Sequence, residues 1–178
     1  MYSEEVILVD ENDNVVGSME KMEAHIKGAM HRAFSVFIFN SRGEMLLQQR
    51  AVSKYHSAGL WSNACCGHPY PGEDIEMAAQ RRLNEEMGFR TSLEKSFDFV
   101  YKASFGNKLI ENEFDHVLVG MYDGEININP QEVNDYSFES IKEIKQALKK
   151  KPEKYTAWFH IAFPKIEDWW KNNFANQE

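Results

Sequence analysis

The stretch from Ile75 to Met87 constrains this chain more than any other. Ile75, Ala79, Leu83 and Met87 recur every four residues, an apolar stripe that only a helix brings into line. Glu73 and Asp74 precede it, where carboxylates suit the positive end of the helix dipole, and Gly88 follows, where glycine suits a left-handed stop. The segments on either side read as strands. Val6 to Val9 is a short apolar run closed by the turn-favouring Asp10 to Asn14, and Val15-Val16 opens its hairpin partner. Phe34 to Phe39 and Met45 to Gln49 flank Asn40 to Gly43, and longer strands over Phe97 to Phe105 and Leu109 to Tyr122 flank Gly106-Asn107. A second helix is expected from about Phe138 to Lys150, with Ile141, Ile144 and Leu148 inward, ended by Pro152. The run Lys149 to Lys151 complements the negative end of that helix. A terminal helical piece runs from Tyr155 to Phe174, so the C-terminal helical region covers about 138–174. Strands, one helix, then more strands predict a mixed α/β (α+β) sandwich in a single domain over 1–178.

Composition narrows the function. The 178 residues carry 20 Lys+Arg against 28 Asp+Glu, a formal charge of −8, which argues against nucleic acid or an anionic membrane as the main partner. No window approaches the ~18 consecutive apolar residues of a membrane span, and Met1 to Gly17 shows no secretory signal pattern. The two cysteines, Cys65 and Cys66, are adjacent, so they cannot staple distant segments. A reduced, cytoplasmic protein is expected, a monomer or weak dimer.

Chemistry concentrates around the central helix. Gly67, five residues, Glu73, seven residues, Arg81, then Leu83, Glu85, Glu86, Gly88 and Phe89 are similar to the Nudix box, here spanning 67–89. Such a loop and helix present carboxylates to a hard, oxygen-seeking ion such as Mg²⁺, which bridges to a substrate diphosphate. The strict pattern has glutamate after Arg81, whereas this chain has Arg82, a guanidinium suited to a pair of phosphate oxygens. Glu86 is the better metal candidate, and Glu85 reads as structural or solvent-facing. His25 and His31 lie just before the first core strand, His68 follows Cys66-Gly67, and Glu111 and Glu113 share one face of a strand. Three imidazoles and two carboxylates suit a five-ligand site for a transition metal, Mn²⁺ or Zn²⁺, but spacing alone is a weak signal for one, since a lone histidine is more often a hydrogen-bonded structural residue.

From EEVILVDENDNVVG to TAWF the chain resembles the type 1 isopentenyl-diphosphate Δ-isomerases, Nudix-fold enzymes of isoprenoid synthesis. The resemblance implies a Nudix-fold mixed β-sheet sandwich flanked by helices. Its implied reaction moves a double bond between isopentenyl diphosphate and dimethylallyl diphosphate through a tertiary carbocation. The segments WSNACCGHP and ENE imply Cys66, not Cys65, as the catalytic cysteine and Glu113 as the catalytic glutamate. FDFVYKAS implies Tyr101 as the tyrosine that hydrogen-bonds that glutamate. By the same resemblance His25, His31, His68, Glu111 and Glu113 hold the transition metal, and Glu86 holds Mg²⁺ with the diphosphate. Lys21, Arg50, Lys54 and Arg82 hold the diphosphate itself. Trp158 in TAWF matches a ring that faces the carbocation, although Ala157 stands where proline is usual, and Trp61 and Phe163 complete the aromatic pool. His56, His116 and His160 match no ligand position.

The competing reading is a Nudix pyrophosphohydrolase of a nucleoside diphosphate derivative. Arg82 argues against it, and Cys66 with Glu111-Asn112-Glu113 would have no role there. The net −8 does not exclude an anionic small molecule. Two divalent ions and four basic side chains would neutralise it locally.

Overall fold

The computed structural model describes residues 4–54, 56–105 and 108–174. The strands are β1 (Glu5–Val9), β2 (Val15–Glu20), β3 (His31–Phe39), β4 (Met45–Arg50), β5 (Trp61–Ser62), β6 (Cys65–Gly67), β7 (Leu93–Ser104), β8 (Ile110–Met121) and β9 (Val133–Glu139). The helices are α1 (Lys21–Lys27), α2 (Ile75–Met87), α3 (Ile141–Lys150) and α4 (Ala157–Asn173). Strand β3 organises the sheet. It runs parallel to β8 from the pair His31–Glu113 to Phe39–Met121, and antiparallel to β6 from Phe34–Gly67 to Val36–Cys65. Strand β7 lies antiparallel along β8, and β9 along β4.

Side-chain alternation divides the core in two. Phe34, Val36 and Ile38 pack with Ala64 and Cys65 against the stripe of α2, through Ala79, Leu83 and Met87. Phe37 and Phe39, with Val117 and Val119 of β8, pack against Ile144 of α3 and Phe159, Phe163 and Ile166 of α4. The mixed sheet is therefore covered on both faces, as the sequence pattern predicts.

Helix α2 has the expected ends. Asp74 caps it, its Oδ1 accepting from the amides of Glu76 and Met77 at 2.9 and 3.2 Å. Gly88 ends it at φ 76°, and a Cβ there would meet the Asn127 carbonyl oxygen at 2.3 Å, so only glycine fits.

Three stretches differ from expectation. The segment bearing Lys21 and His25, which has weak sequence signals, is helix α1. Glu20 caps it by accepting from the Glu23 amide at 2.8 Å, and Gly28 closes it at φ 63°. The C-terminal helical region starts at Ile141 rather than near Phe138, because Ser140 and Glu143 form a reciprocal capping box and Val133–Glu139 pairs with β4. His31 is the first residue of β3 rather than a residue ahead of it, since pairing with β8 begins there. The turn expected at Gly106-Asn107 lies outside the described residues.

Candidate metal centre and active-site cavity

On β8 the alternation that puts Val117 and Val119 into the α4-side core also puts Glu111, Glu113 and Asp115 on that face. All three are carboxylates, and Glu111 and Glu113 lie near the strand's start, where α1, β3 and the segment after β6 bring in imidazoles. His25 comes from α1, His31 from β3 and His68 from just beyond β6. One ligand atom from each of His25, His31, His68, Glu111 and Glu113 lies within 4.8 Å of the others. The imidazole centroids stand 4.9, 4.9 and 5.8 Å apart.

The outer nitrogens fix the tautomers. His25 Nδ1 lies 2.6 Å from the Lys21 carbonyl and His31 Nδ1 lies 2.9 Å from the Ala29 carbonyl. A carbonyl only accepts, so each Nδ1 carries the hydrogen and each Nε2 lone pair points inward. His25 Nε2 is 3.1 Å from Glu111 Oε2, yet among the described residues neither atom has a hydrogen-bond partner, and His31 Nε2 is equally unpartnered. Lone pairs facing carboxylate oxygens in a buried site call for a cation between them. The donor set therefore fits a divalent metal.

Electrostatics follow the same crowding. Burial opposes charge on His25, but Glu111 outweighs it and raises the pKa. Burial pulls His68 well down, helped by His31 and Lys21. Burial would raise Glu113, but hydrogen bonding and charge from His31 hold it below the usual range.

Cys66 lies on β6, one residue from Cys65, and adjacent residues of a strand face opposite ways. Cys65 is fully in the α2-side core, whereas Cys66 lines the cavity beside the metal donors. Cys66 Sγ is 3.4 Å from Ser35 Oγ and takes part in contacts with Asn63 Nδ2 at 3.3 Å and Asn63 Oδ1 at 3.4 Å. Burial, with Asp115 adding to it, pushes the Cys66 thiol up. Tyr101 of β7 sits opposite Glu113 in the β7–β8 register and is 5% exposed. Burial, reinforced by Glu113 and Glu111, holds its phenol well above the ordinary value.

The same cavity is ringed by cations: Lys21, Arg50, Lys54 and Arg82. Among the described residues, each but Arg50 is held by a carboxylate. Lys21 Nζ is 3.0 Å from Glu4, Lys54 pairs with Glu132, and Arg82 reaches Glu85 at 2.6 Å, Glu132 at 3.3 Å and Glu86. Burial opposes the Arg82 charge, but Glu86 and Glu132 outweigh it and raise its pKa. Glu86 is 5% exposed and also accepts from Gln48 Nε2 at 2.7 Å. Arg50 lies over the Trp158 ring, 5.3 Å from its centroid.

All thirteen residues singled out in the sequence line this cavity or belong to the five-donor cluster. Of the four aromatic candidates, Tyr101 and Trp158 line it, whereas Trp61 and Phe163 pack in or against the core instead.

The NUDIX domain model matches residues 29–159. Over 167 residues the chain is 54% identical to a protein of Pectobacterium atrosepticum named isopentenyl-diphosphate Delta-isomerase, covering 94% of this chain and 93% of that one. This chain belongs to the isopentenyl-diphosphate Delta-isomerase family. A second member, isopentenyl-diphosphate Delta-isomerase 2 of Photorhabdus laumondii, is 48% identical over 92% of this chain and 96% of its own. The family's fold extends to solved structures of low identity. A protein of Deinococcus radiodurans superposes with a TM-score of 0.69 at 21% identity, over 83% of this chain and 90% of that chain. A MutT protein of Methanosarcina mazei gives 0.64 at 19%, over 84% and 96%.

Four cavity residues of this family member escape sequence reasoning. His56 Nε2 stands 3.3 Å from Glu111 Oε1, and its ring stacks on Phe105 at 5.1 Å. Burial and the Arg50 charge pull it down to about 4. Glu4 opens the EEVILVDENDNVVG segment but carries no site signal of its own, and Glu132 enters from a segment with no motif. Asp115 had a legible signal, since it continues the alternate positions Glu111 and Glu113.

Proposed function

We propose that this chain interconverts isopentenyl diphosphate and dimethylallyl diphosphate. One observation carries the reading. A single cavity holds a thiol, a tyrosine-faced carboxylate and four cations, in a chain over half identical to a relative of that name.

The diphosphate would lie against Lys21, Arg50, Lys54 and Arg82, and the five-carbon tail would reach between Cys66 and Glu113. An unactivated alkene is a poor base, so the reaction needs a strong acid, a dry pocket and help for a tertiary cation. Glu113 and Cys66 are the acid–base pair. One gives a proton to the terminal alkene carbon, and the other takes a proton from the allylic carbon on the far side. Tyr101, opposite Glu113 in the β7–β8 register, would hold that carboxylate through a hydrogen bond. The Trp158 ring stabilises the cation by its π-face, worth ~0.5–2 kcal/mol.

His25, His31, His68, Glu111 and Glu113 would hold Mn²⁺ or Zn²⁺, and Glu86 would hold Mg²⁺ with the diphosphate. When bound, the metals supply positive charge that fixes the Glu113 carboxyl and neutralises phosphate oxygens. The free thiols are consistent with a reducing cytoplasm.

The test is metal-replete protein incubated with isopentenyl diphosphate and Mg²⁺, followed by proton and phosphorus NMR. Dimethylallyl diphosphate with its diphosphate intact is expected. Unchanged substrate would refute the reading, and released phosphate would favour hydrolysis instead.

A further inference from the structure

Asp115 is a buried carboxyl that the proposed chemistry leaves unused. It is 2% exposed, lines the cavity and lies on β8 with Glu113. Among the described residues no basic side chain pairs with it. Its Oδ2 accepts from Ser35 Oγ at 2.7 Å, and its Oδ1 has no partner. A carboxyl in such a place is costly to bury. The same Ser35 hydroxyl, on β3 and 1% exposed, is 3.4 Å from Cys66 Sγ.

We infer that Ser35 is a positioning residue for Cys66, anchored in that role by Asp115. The inference rests on Cys66 acting as an acid or base in the proposed isomerase. A hydroxyl has one proton and two lone pairs, so Ser35 serves both neighbours at once, donating to one and accepting from the other. The β3–β6 register sets Ser35 opposite Cys66, and the β3–β8 register sets Ala33 opposite Asp115, one alternate position along the same face. The three side chains thus come from three adjacent strands, and the Ser35–Asp115 hydrogen bond backs the Ser35 contact to Sγ. Asn63 also contacts Sγ. A thiol free to rotate away would lose the geometry that proton transfer to or from carbon requires.

The test compares Ser35→Ala, Asp115→Ala and the double variant with the parent, by steady-state isomerisation and by calorimetric binding of inorganic pyrophosphate with Mg²⁺. Ser35→Ala is expected to lower kcat about tenfold, the scale of one buried hydrogen bond. KM and pyrophosphate affinity should stay within about twofold, because the cations and metal donors are untouched. Asp115→Ala should lower kcat similarly, and the double variant should be no slower than the slower single variant, since Asp115 acts through Ser35. A Ser35→Ala variant with parental kcat would overturn the inference. So would a matched loss of pyrophosphate binding, which would mark a merely structural role, or fully additive losses. Cys66→Ala separates the two levels. If that variant is fully active, the reading of Cys66 fails. If it is inactive while Ser35→Ala is unimpaired, only the positioning role fails.

Discussion

His31 and Glu113 stand opposite each other where β3 and β8 begin their parallel pairing, with His31 Nε2 3.5 Å from Glu113 Oε1. One register thus brings together two of the five candidate metal donors, one of them the carboxylate proposed to move a proton. It ties metal binding to the pairing of two central strands.

Metal removal should therefore destabilise the fold as well as stop turnover. A ligand that binds only the folded state at a hundred times its Kd adds about 2.7 kcal/mol, roughly 5–10 °C in a chain of this size. Dialysis against a chelator should lower Tm by about that amount, and added Mn²⁺ or Zn²⁺ should restore it. Scanning calorimetry checks this. An unchanged Tm would mean that the five donors hold no structural ion.

The adjacent cysteines should separate cleanly. Cys66→Ala should lower kcat by about 10²–10⁴, the range of a lost acid–base group. Cys65→Ala should keep kcat and lose about 1 kcal/mol of stability from the α2-side core. Steady-state rates and urea denaturation of both variants check this.

The motif-bearing parts of the site are legible in the sequence because they repeat at the period of their element. The stripe of α2 has period four and the pair Glu111 and Glu113 has period two, so both faces follow from spacing. What spacing alone leaves open is meeting in space. The parallel β3–β8 pairing brings His31 beside Glu113 across some eighty residues of chain, and nothing local encodes it. The resemblance, not the periodicity, selected those histidines. It also passed over Asp115, which alternation places on the same face, and Ser35, Glu132 and His56, whose places depend on packing. Helix α1 was obscure because it is short and its cap is a glutamate, which is not a favoured capping residue.

Glu132 should set how strongly diphosphate binding depends on Mg²⁺. Its carboxylate pairs with both Lys54 and Arg82, and burial, which would raise its pKa, is outweighed by those two cations. It thus neutralises charge that an incoming diphosphate needs. Glu132→Gln should bind pyrophosphate several-fold more tightly than the parent without Mg²⁺, and the gap should narrow when Mg²⁺ is added. Isothermal titration with and without the ion checks this.

Mild acid should weaken the fold through His116. Its Nε2 is 2.9 Å from Asp13 Oδ2, but burial outweighs Asp13 and holds its pKa below 6.5. The nearby charges of Lys95 and Asp98 oppose each other. The unfolded chain therefore binds this proton first. The stability is present above about pH 6.5 and is lost as pH falls through the folded value. His116→Gln should flatten that part of the profile, as read by Tm between pH 5 and pH 8.

The most direct test of the central claim is turnover of isopentenyl diphosphate in D₂O, with metal present, followed by proton and deuterium NMR. Addition of one proton and loss of another predicts dimethylallyl diphosphate with deuterium in a methyl group, formed at least about a hundredfold more slowly by the Cys66→Ala and Glu113→Gln variants. Product free of deuterium, or labelled product at the parental rate from either variant, would contradict the account.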